Sequence, residues 1–70
     1  MTAEEIRALC DITGLKYTDS RIGPWNHVVS IRTKDYEVIT QGISDDEEHA
    51  WNTAWDRYLG KANQTWIHEH

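Results

Sequence analysis

The residues that most invite a chemical interpretation are four consecutive acids, Asp45 to Glu48, which lead into Trp51 and Trp55. Carboxylates this dense can occupy a basic groove on another protein, because complementary charge speeds and orients association. The first turn of a helix also favours acids, since its unpaired amides and dipole attract negative charge. The run therefore indicates the start of a helix that also binds a partner. We expect Asp45, Asp46 and Glu48 to contact that partner.

Two tryptophans stand apart from any regular apolar stripe. Trp25 falls in a segment rich in turn-forming residues, and Trp66 lies near the end of the sequence. Aromatic side chains exposed beside polar residues are common anchors of protein interfaces. We therefore expect Trp25 and Trp66 to belong to the partner-binding surface.

Residue types that bind metals or act as nucleophiles are present, but their spacing matches no known site. Cys10 lies at an apolar helical position, where a free thiol usually packs as a small hydrophobe. There is no glycine-rich phosphate loop, and the histidines fit no zinc signature. We expect no metal, no cofactor and no enzymatic activity. The histidines are His27, His49, His68 and His70.

The charge of the chain disfavours nucleic acid as a partner. Twelve acids against seven bases give a formal charge of −5, and phosphate backbones repel such a chain. A single cysteine cannot close an internal disulfide, and the first residues contain no apolar run long enough for a signal peptide or a membrane span. We expect a cytoplasmic protein with a protein partner and no membrane association.

The first element that must position these residues is a helix from Ala3 to Thr13. Thr2 and Glu5 form a capping box, in which each side chain accepts a hydrogen bond from the other residue's amide. Gly14 follows the helix, at the position where a residue with positive φ commonly ends one.

Alternating β-branched residues then predict two strands joined by a tight turn near Lys34–Asp35. We expect Gly42 to close the second of these strands. An earlier, shorter strand is indicated over Leu15 to Thr18, followed by turns at Asp19–Ser20 and Gly23–Pro24. One face of the first strand is predicted to carry Val29, Ile31 and Thr33, and one face of the second is predicted to carry Tyr36, Val38 and Thr40.

The second helix is predicted from a capping box of Ser44 and Glu47 and from an apolar stripe at helical spacing. Gly60 supplies a stop. We expect the stripe to form the core rather than a binding surface, because so short a chain has few other large apolar groups. Its members are Ala50, Trp51, Ala54, Trp55, Tyr58 and Leu59.

Seventy residues allow one small domain at most. Two helices and a small antiparallel sheet pack most simply as an α+β two-layer sandwich, with both helices on one face of the sheet. We assign residues 1–60 to a single α+β domain. Residues 61–70 form a C-terminal tail or an added element, which the sequence leaves open as a helical extension, a strand or a docked tail.

The order helix, strands, helix, with GISDDEEHAWNTAW opening the second helix, resembles the double-stranded RNA-binding domain. In that family a lysine-rich motif at this helix start grips phosphates, but the matching positions here are the acids Asp45 to Glu48. The resemblance therefore implies the fold, with the charge of the binding motif reversed. A degenerate domain of this kind would contact nucleic acid through its bases, Lys16, Arg21, Arg32 and Lys34.

Size, acidity and α–β–α layering also resemble small accessory proteins of bacteriophages, including ABA-sandwich domains and anti-CRISPR inhibitors. This resemblance implies a phage-encoded inhibitor that occludes a surface of a host protein or complex. Our leading hypothesis is accordingly a small acidic protein-binding module of this type. The alternative is the degenerate double-stranded RNA-binding-like domain.

Overall fold

A computed structural model describes residues 1–24 and 26–69, with side chains for residues 1–24 and 26–61. The three strands form one antiparallel sheet in the order β1-β2-β3, and both helices pack on it. The predicted α+β two-layer sandwich is confirmed. In chain order the elements are α1 (Ala3–Thr13), β1 (Lys16–Ile22), β2 (Asn26–Arg32), β3 (Val38–Ser44) and α2 (Glu47–Glu69).

Helix α1 has the predicted bounds and both predicted caps. The amide of Glu5 donates to Thr2 Oγ1 over 3.1 Å, and the amide of Thr2 donates to the Glu5 carboxylate over 3.2 Å. The hydrogen bonds from the Thr2 amide and hydroxyl hold the pKa of Glu5 below its ordinary value. Because the pKa of Glu5 is lower in the folded state, its ionised carboxylate stabilises the fold, and this stabilisation is lost as the pH falls through the folded pKa. Gly14 ends the helix with φ of 77°.

Strand β1 is longer than the sequence indicates, and the predicted turn at Asp19–Ser20 is wrong. Asp19 pairs with Val29 and Ser20 pairs with Val28 in the middle of the β1–β2 ladder. Asp and Ser favour turns only through local hydrogen bonds, and pairing with a strongly β-forming central strand outweighs that preference.

The turn near Lys34–Asp35 is confirmed, but the strands on either side lie further from it than predicted, since β2 ends at Arg32 and β3 begins at Val38. Tyr36 lies outside β3 and has a positive φ of 66°. A register shift between Ile31 and Arg32 places Val38 opposite Arg32, while Thr40 remains opposite Ile31. The predicted placement of Val38 and Thr40 on one face is therefore wrong, because an extra residue in one strand changes which face the chain presents.

The core lies between the helices and one face of the sheet. Trp51 is fully buried and Trp55 nearly so, while Tyr58 is half-buried against them. The aromatic part of the stripe is thus confirmed as core, whereas Leu59 is exposed. The fully buried residues around Trp51 come from both helices and the central strand. They are Ile6, Cys10, Val29, Ile31, Ala50 and Ala54.

Helix α2 approaches the sheet most closely at Gly42, which lies inside β3 rather than at its end. A methyl group on Gly42 would overlap the carbonyl oxygen of Ala50 and lie 2.7 Å from the amide nitrogen of Ala54. The hydroxyl of Thr40 also donates to the Ala54 carbonyl over 2.9 Å. Glycine is therefore required here to bring helix backbone onto strand backbone.

The start of α2 is displaced from the predicted capping box of Ser44 and Glu47. Asp46 caps the helix, since its Oδ1 accepts from the amide of Glu48 over 3.1 Å and its carbonyl accepts from the amide of Ala50. Ser44 is the last residue of β3, and its hydroxyl accepts from the amide of Asp46. Because β3 continues through Ser44, the helix can begin only beyond it.

The predicted stop at Gly60 is wrong, because α2 continues through Gly60 to Glu69. A glycine inside a helix costs only about 1 kcal/mol relative to alanine, which is not by itself enough to end a helix. Of the three possibilities for the C-terminal segment, the backbone over residues 61–69 follows the helical extension.

Candidate protein-binding surface

The face of the sheet opposite the helices is left open by the described residues. Alternate residues of β2 point to opposite faces, so Val29 and Ile31 enter the core while Val28, Ser30 and Arg32 lie on the open face. Residues directly opposite one another in a ladder share a face, so the residues of β1 and β3 that pair with Val28, Ser30 and Arg32 also lie on the open face. Those residues are Ser20, Thr18 and Lys16 of β1 and Ile43, Gln41 and Val38 of β3.

One half of this open face is polar, and its groups bond one another. Gln41 Nε2 donates to Ser30 Oγ over 3.0 Å, and Arg32 Nε donates to Thr18 Oγ1 over 3.1 Å. A second guanidinium nitrogen of Arg32 donates to the carbonyl of Tyr36 over 2.8 Å. These side chains already satisfy each other's hydrogen bonds, so this half offers few free groups to a partner.

The other half is apolar and consists of Ile22, Val28 and Ile43, which we call the apolar cluster. Val28 pairs directly with Ile43 and lies diagonally across the ladder from Ile22. Val28 is almost fully covered, whereas Ile22 is 60% exposed and Ile43 is 54% exposed. Single exposed apolar residues are ordinary, but neighbours grouped on a sheet face are typical of an interaction site.

The acids predicted to contact a partner lie at the same end of the sheet as the apolar cluster, because the chain passes from Ile43 through Ser44 into them. Asp45, Asp46 and Glu48 are all exposed. Asp45 accepts from the Ser44 hydroxyl over 3.3 Å, and Asp46 caps α2. Asp46 therefore has a structural role, while Asp45 lies two residues beyond Ile43 and Glu48 lies in the first turn of α2.

Trp25 and the side chain of Trp66 lie outside the described part of the chain. Their predicted contacts with a partner therefore stay predictions.

A polar cleft on the helix side of the same sheet end has a volume of about 390 Å³ and is lined by residues of β1, β2 and α2. Asp19 and His27 face each other across the ladder, with Oδ1 and Nδ1 separated by 3.8 Å. Arg21 pairs directly with His27, and Glu47 approaches Arg7 at 3.9 Å. The sequence did not indicate this cleft, because its walls come from separate elements and Asp19 was assigned to a turn.

The four bases considered for nucleic-acid contact do not share one surface. Lys16 and Arg32 pair with each other on the open face, but Arg21 lies on the helix side beside His27. Arg32 is also engaged by Thr18 and Tyr36. Positive charge is thus divided between the two faces of the sheet.

Cys10 is fully buried in the core, and burial, with a smaller effect of Asp11, raises the pKa of its thiol. A neutral, enclosed thiol is a poor nucleophile. Within residues 1–24 and 26–61, no three side chains from His, Cys, Asp and Glu gather closely enough to hold a metal ion. None of the helices in the described part of the chain is both long and apolar enough to cross a membrane.

Comparison of the chain with protein-family models, with curated proteins and with solved structures found no match.

Proposed function

We propose that the chain is a small protein-binding module whose contact surface is centred on the apolar cluster. The observation that carries this proposal is the pair of exposed side chains, Ile22 and Ile43, on either side of Val28 on an uncovered sheet face. Covering one such side chain contributes about 1.5–3 kcal/mol, and a partner surface would supply that cover.

The charge beside the cluster indicates the kind of partner. Stable interfaces commonly have an apolar centre and a polar rim. We assign an acidic rim to Asp45, two residues beyond Ile43, and to Glu48 in the first turn of α2, both of which are exposed. The matching partner surface is an apolar depression bordered by basic residues. A module that covers such a surface acts as an inhibitor when the surface is functional, which is the role implied by the resemblance to phage inhibitors.

The nucleic-acid alternative has less support. Lys16 and Arg32 lie on the open face, Arg21 lies on the helix side and Lys34 lies in the turn between β2 and β3. Arg32 is also bonded within the chain. Phosphate binding requires bases gathered along one surface.

The role of the apolar cluster is tested by affinity capture from a lysate of the source cells, with quantitative mass spectrometry. Ile43→Ser is expected to reduce recovery of the specifically bound protein tenfold or more, because the lost burial corresponds to at least one decade in affinity. Ile12→Ser is the matched control, since Ile12 is 80% exposed on α1, away from the cluster. Equal loss with both variants, or with neither, would contradict the proposal.

The acidic rim is tested through association kinetics with the captured protein. Replacing both Asp45 and Glu48 with lysine is expected to lower the association rate tenfold or more at low salt, as for electrostatically steered encounters. Asp46 is left intact because it caps α2. The control is Asp56→Lys, which reverses an exposed charge further along α2. An unchanged rate with unchanged salt dependence in the double variant would limit these acids to helix initiation.

A further inference from the structure

The two edges of the sheet differ in how they are covered. At the β3 edge, Arg57 Nη1 donates to the carbonyl of Gln41 over 2.9 Å, and Lys61 Nζ reaches the carbonyl of Ile39 at 3.5 Å. Among the described residues, no side chain makes such a bond to the backbone of β1. An uncovered edge strand presents a row of unpaired amides and carbonyls that can pair with another strand.

We propose that β1 pairs antiparallel with β1 of a second copy of this chain, which joins the two sheets into one of six strands. Antiparallel pairing of identical edges places a two-fold axis perpendicular to the sheet, so the helices of both copies lie on the same side. Side chains that face the helices must then pair with one another, because opposite residues share a face. The allowed registers of the two β1 strands therefore differ from one another by steps of two residues, because a shift of one residue would place a helix-facing side chain opposite one on the open face.

Charge selects one of these registers. With Ser20 opposite Ser20 of the partner subunit, Asp19 lies directly opposite Arg21 of the partner subunit, and symmetry repeats the pair. Moving the axis to Asp19 brings the two aspartates together, and moving it to Arg21 brings the two arginines together. Opposite charges across a ladder stabilise pairing, whereas like charges oppose it. Within β1, residues Thr18 to Ile22 thus pair with one another about Ser20.

The polar cleft is where these charges meet. Asp19, Arg21 and Glu47 line it, so in this register Arg21 of the partner subunit lies opposite Asp19 at the mouth of an acidic and basic cleft. The pairing also places the apolar clusters of both copies on one continuous face of the joined sheet. The inference does not depend on the proposed function, since it uses the strand edge and the cleft rather than the apolar cluster.

Charge reversals followed by sedimentation velocity over a range of concentrations test the register. Asp19→Arg and Arg21→Asp should each weaken self-association tenfold or more, because each places like charges opposite one another. An equimolar mixture of the two variants should recover a dimer, since arginines of one chain then face aspartates of the other at every position. Circular dichroism of each variant establishes that it remains folded, and recovery in the mixture excludes misfolding as the cause of the loss.

Cysteine cross-linking gives a second readout of the same register. Under mild oxidation Ser20→Cys should form a covalent dimer, because directly opposite residues in a ladder lie within disulfide range. Thr18→Cys, which faces Ile22 of the partner subunit, should not cross-link, and the buried Cys10 provides the background. A wild-type chain that stays monomeric at all concentrations would overturn the proposal. So would a dimer that resists both charge reversals but dissociates with Ile43→Ser, which would indicate association through the open face.

Discussion

Replacing Gly42 with alanine is expected to lower the free energy of unfolding by about 3 kcal/mol or more, at the upper end of the range for over-packing. The added methyl group would overlap the carbonyl oxygen of Ala50 and crowd the amide of Ala54. Both contacts are with helix backbone, so no side-chain rotation can relieve them and α2 must move off the sheet. A domain of 70 residues has a total stability of roughly 4–10 kcal/mol, so the loss is a large fraction of the whole.

Urea denaturation followed by tryptophan fluorescence measures this effect. Gly60→Ala is the matched control, because a Cβ at Gly60 meets nothing within 4 Å. That control should raise the unfolding midpoint slightly, since alanine in a helix is favoured over glycine by about 1 kcal/mol. A Gly42→Ala protein with the wild-type midpoint would show that α2 does not lie on β3 as described.

Truncation of Trp51 to alanine is expected to cost about 3–5 kcal/mol, the usual range for a buried tryptophan. Trp51 is completely buried, and its ring packs edge-on against Tyr17 at a centroid distance of 5.4 Å. The guanidinium of Arg7 lies over the same ring at 5.2 Å. Removal of this side chain would delete the contacts that join α1, β1 and α2 at the centre of the core.

Trp51→Phe separates loss of packing from loss of hydrogen bonding. The indole Nε1 of Trp51 is buried and has no hydrogen-bond partner among the described residues. Phenylalanine therefore gives up ring volume but no hydrogen bond, and it removes an unsatisfied donor. Thermal unfolding should rank wild type and Trp51→Phe well above Trp51→Ala. A melting temperature unchanged in Trp51→Ala would contradict the core assignment.

The parts of the fold that the sequence predicts well are those set by local interactions. Helix α1 is fixed by Thr2, Glu5 and Gly14, all within one turn of its ends. The aromatic stripe of α2 repeats with the helical period, so Trp51 and Trp55 indicate their own burial. Local rules suffice where the contacts that decide a structure lie close together in the chain.

The errors arise where distant residues decide the structure. Asp19 and Ser20 have turn preferences, but β2 holds them in a strand. The register shift beside Arg32 changes the face of Val38, and alternation along one strand cannot reveal it. The requirement for glycine at position 42 exists only because α2 crosses β3 there.

The candidate surface includes residues that the sequence singles out and residues that it does not. The acid run was recognised from its charge, although its capping residue is Asp46 rather than Ser44. The apolar cluster was not recognised, because Ile22 was placed in a loop segment and Ile43 beyond the end of a strand. Only the sheet topology shows that these two residues flank Val28 on an uncovered face.

Methyl NMR of isoleucine-labelled protein, titrated with the captured partner, tests the central claim most directly. Binding through the apolar cluster predicts that the methyl resonances of Ile22 and Ile43 shift, while that of the exposed control Ile12 stays in place. Ile6 and Ile31, which are completely buried, report whether the core is undisturbed. Shifts of Ile12 with Ile22 and Ile43 unaffected would place the binding surface elsewhere and contradict the proposed function.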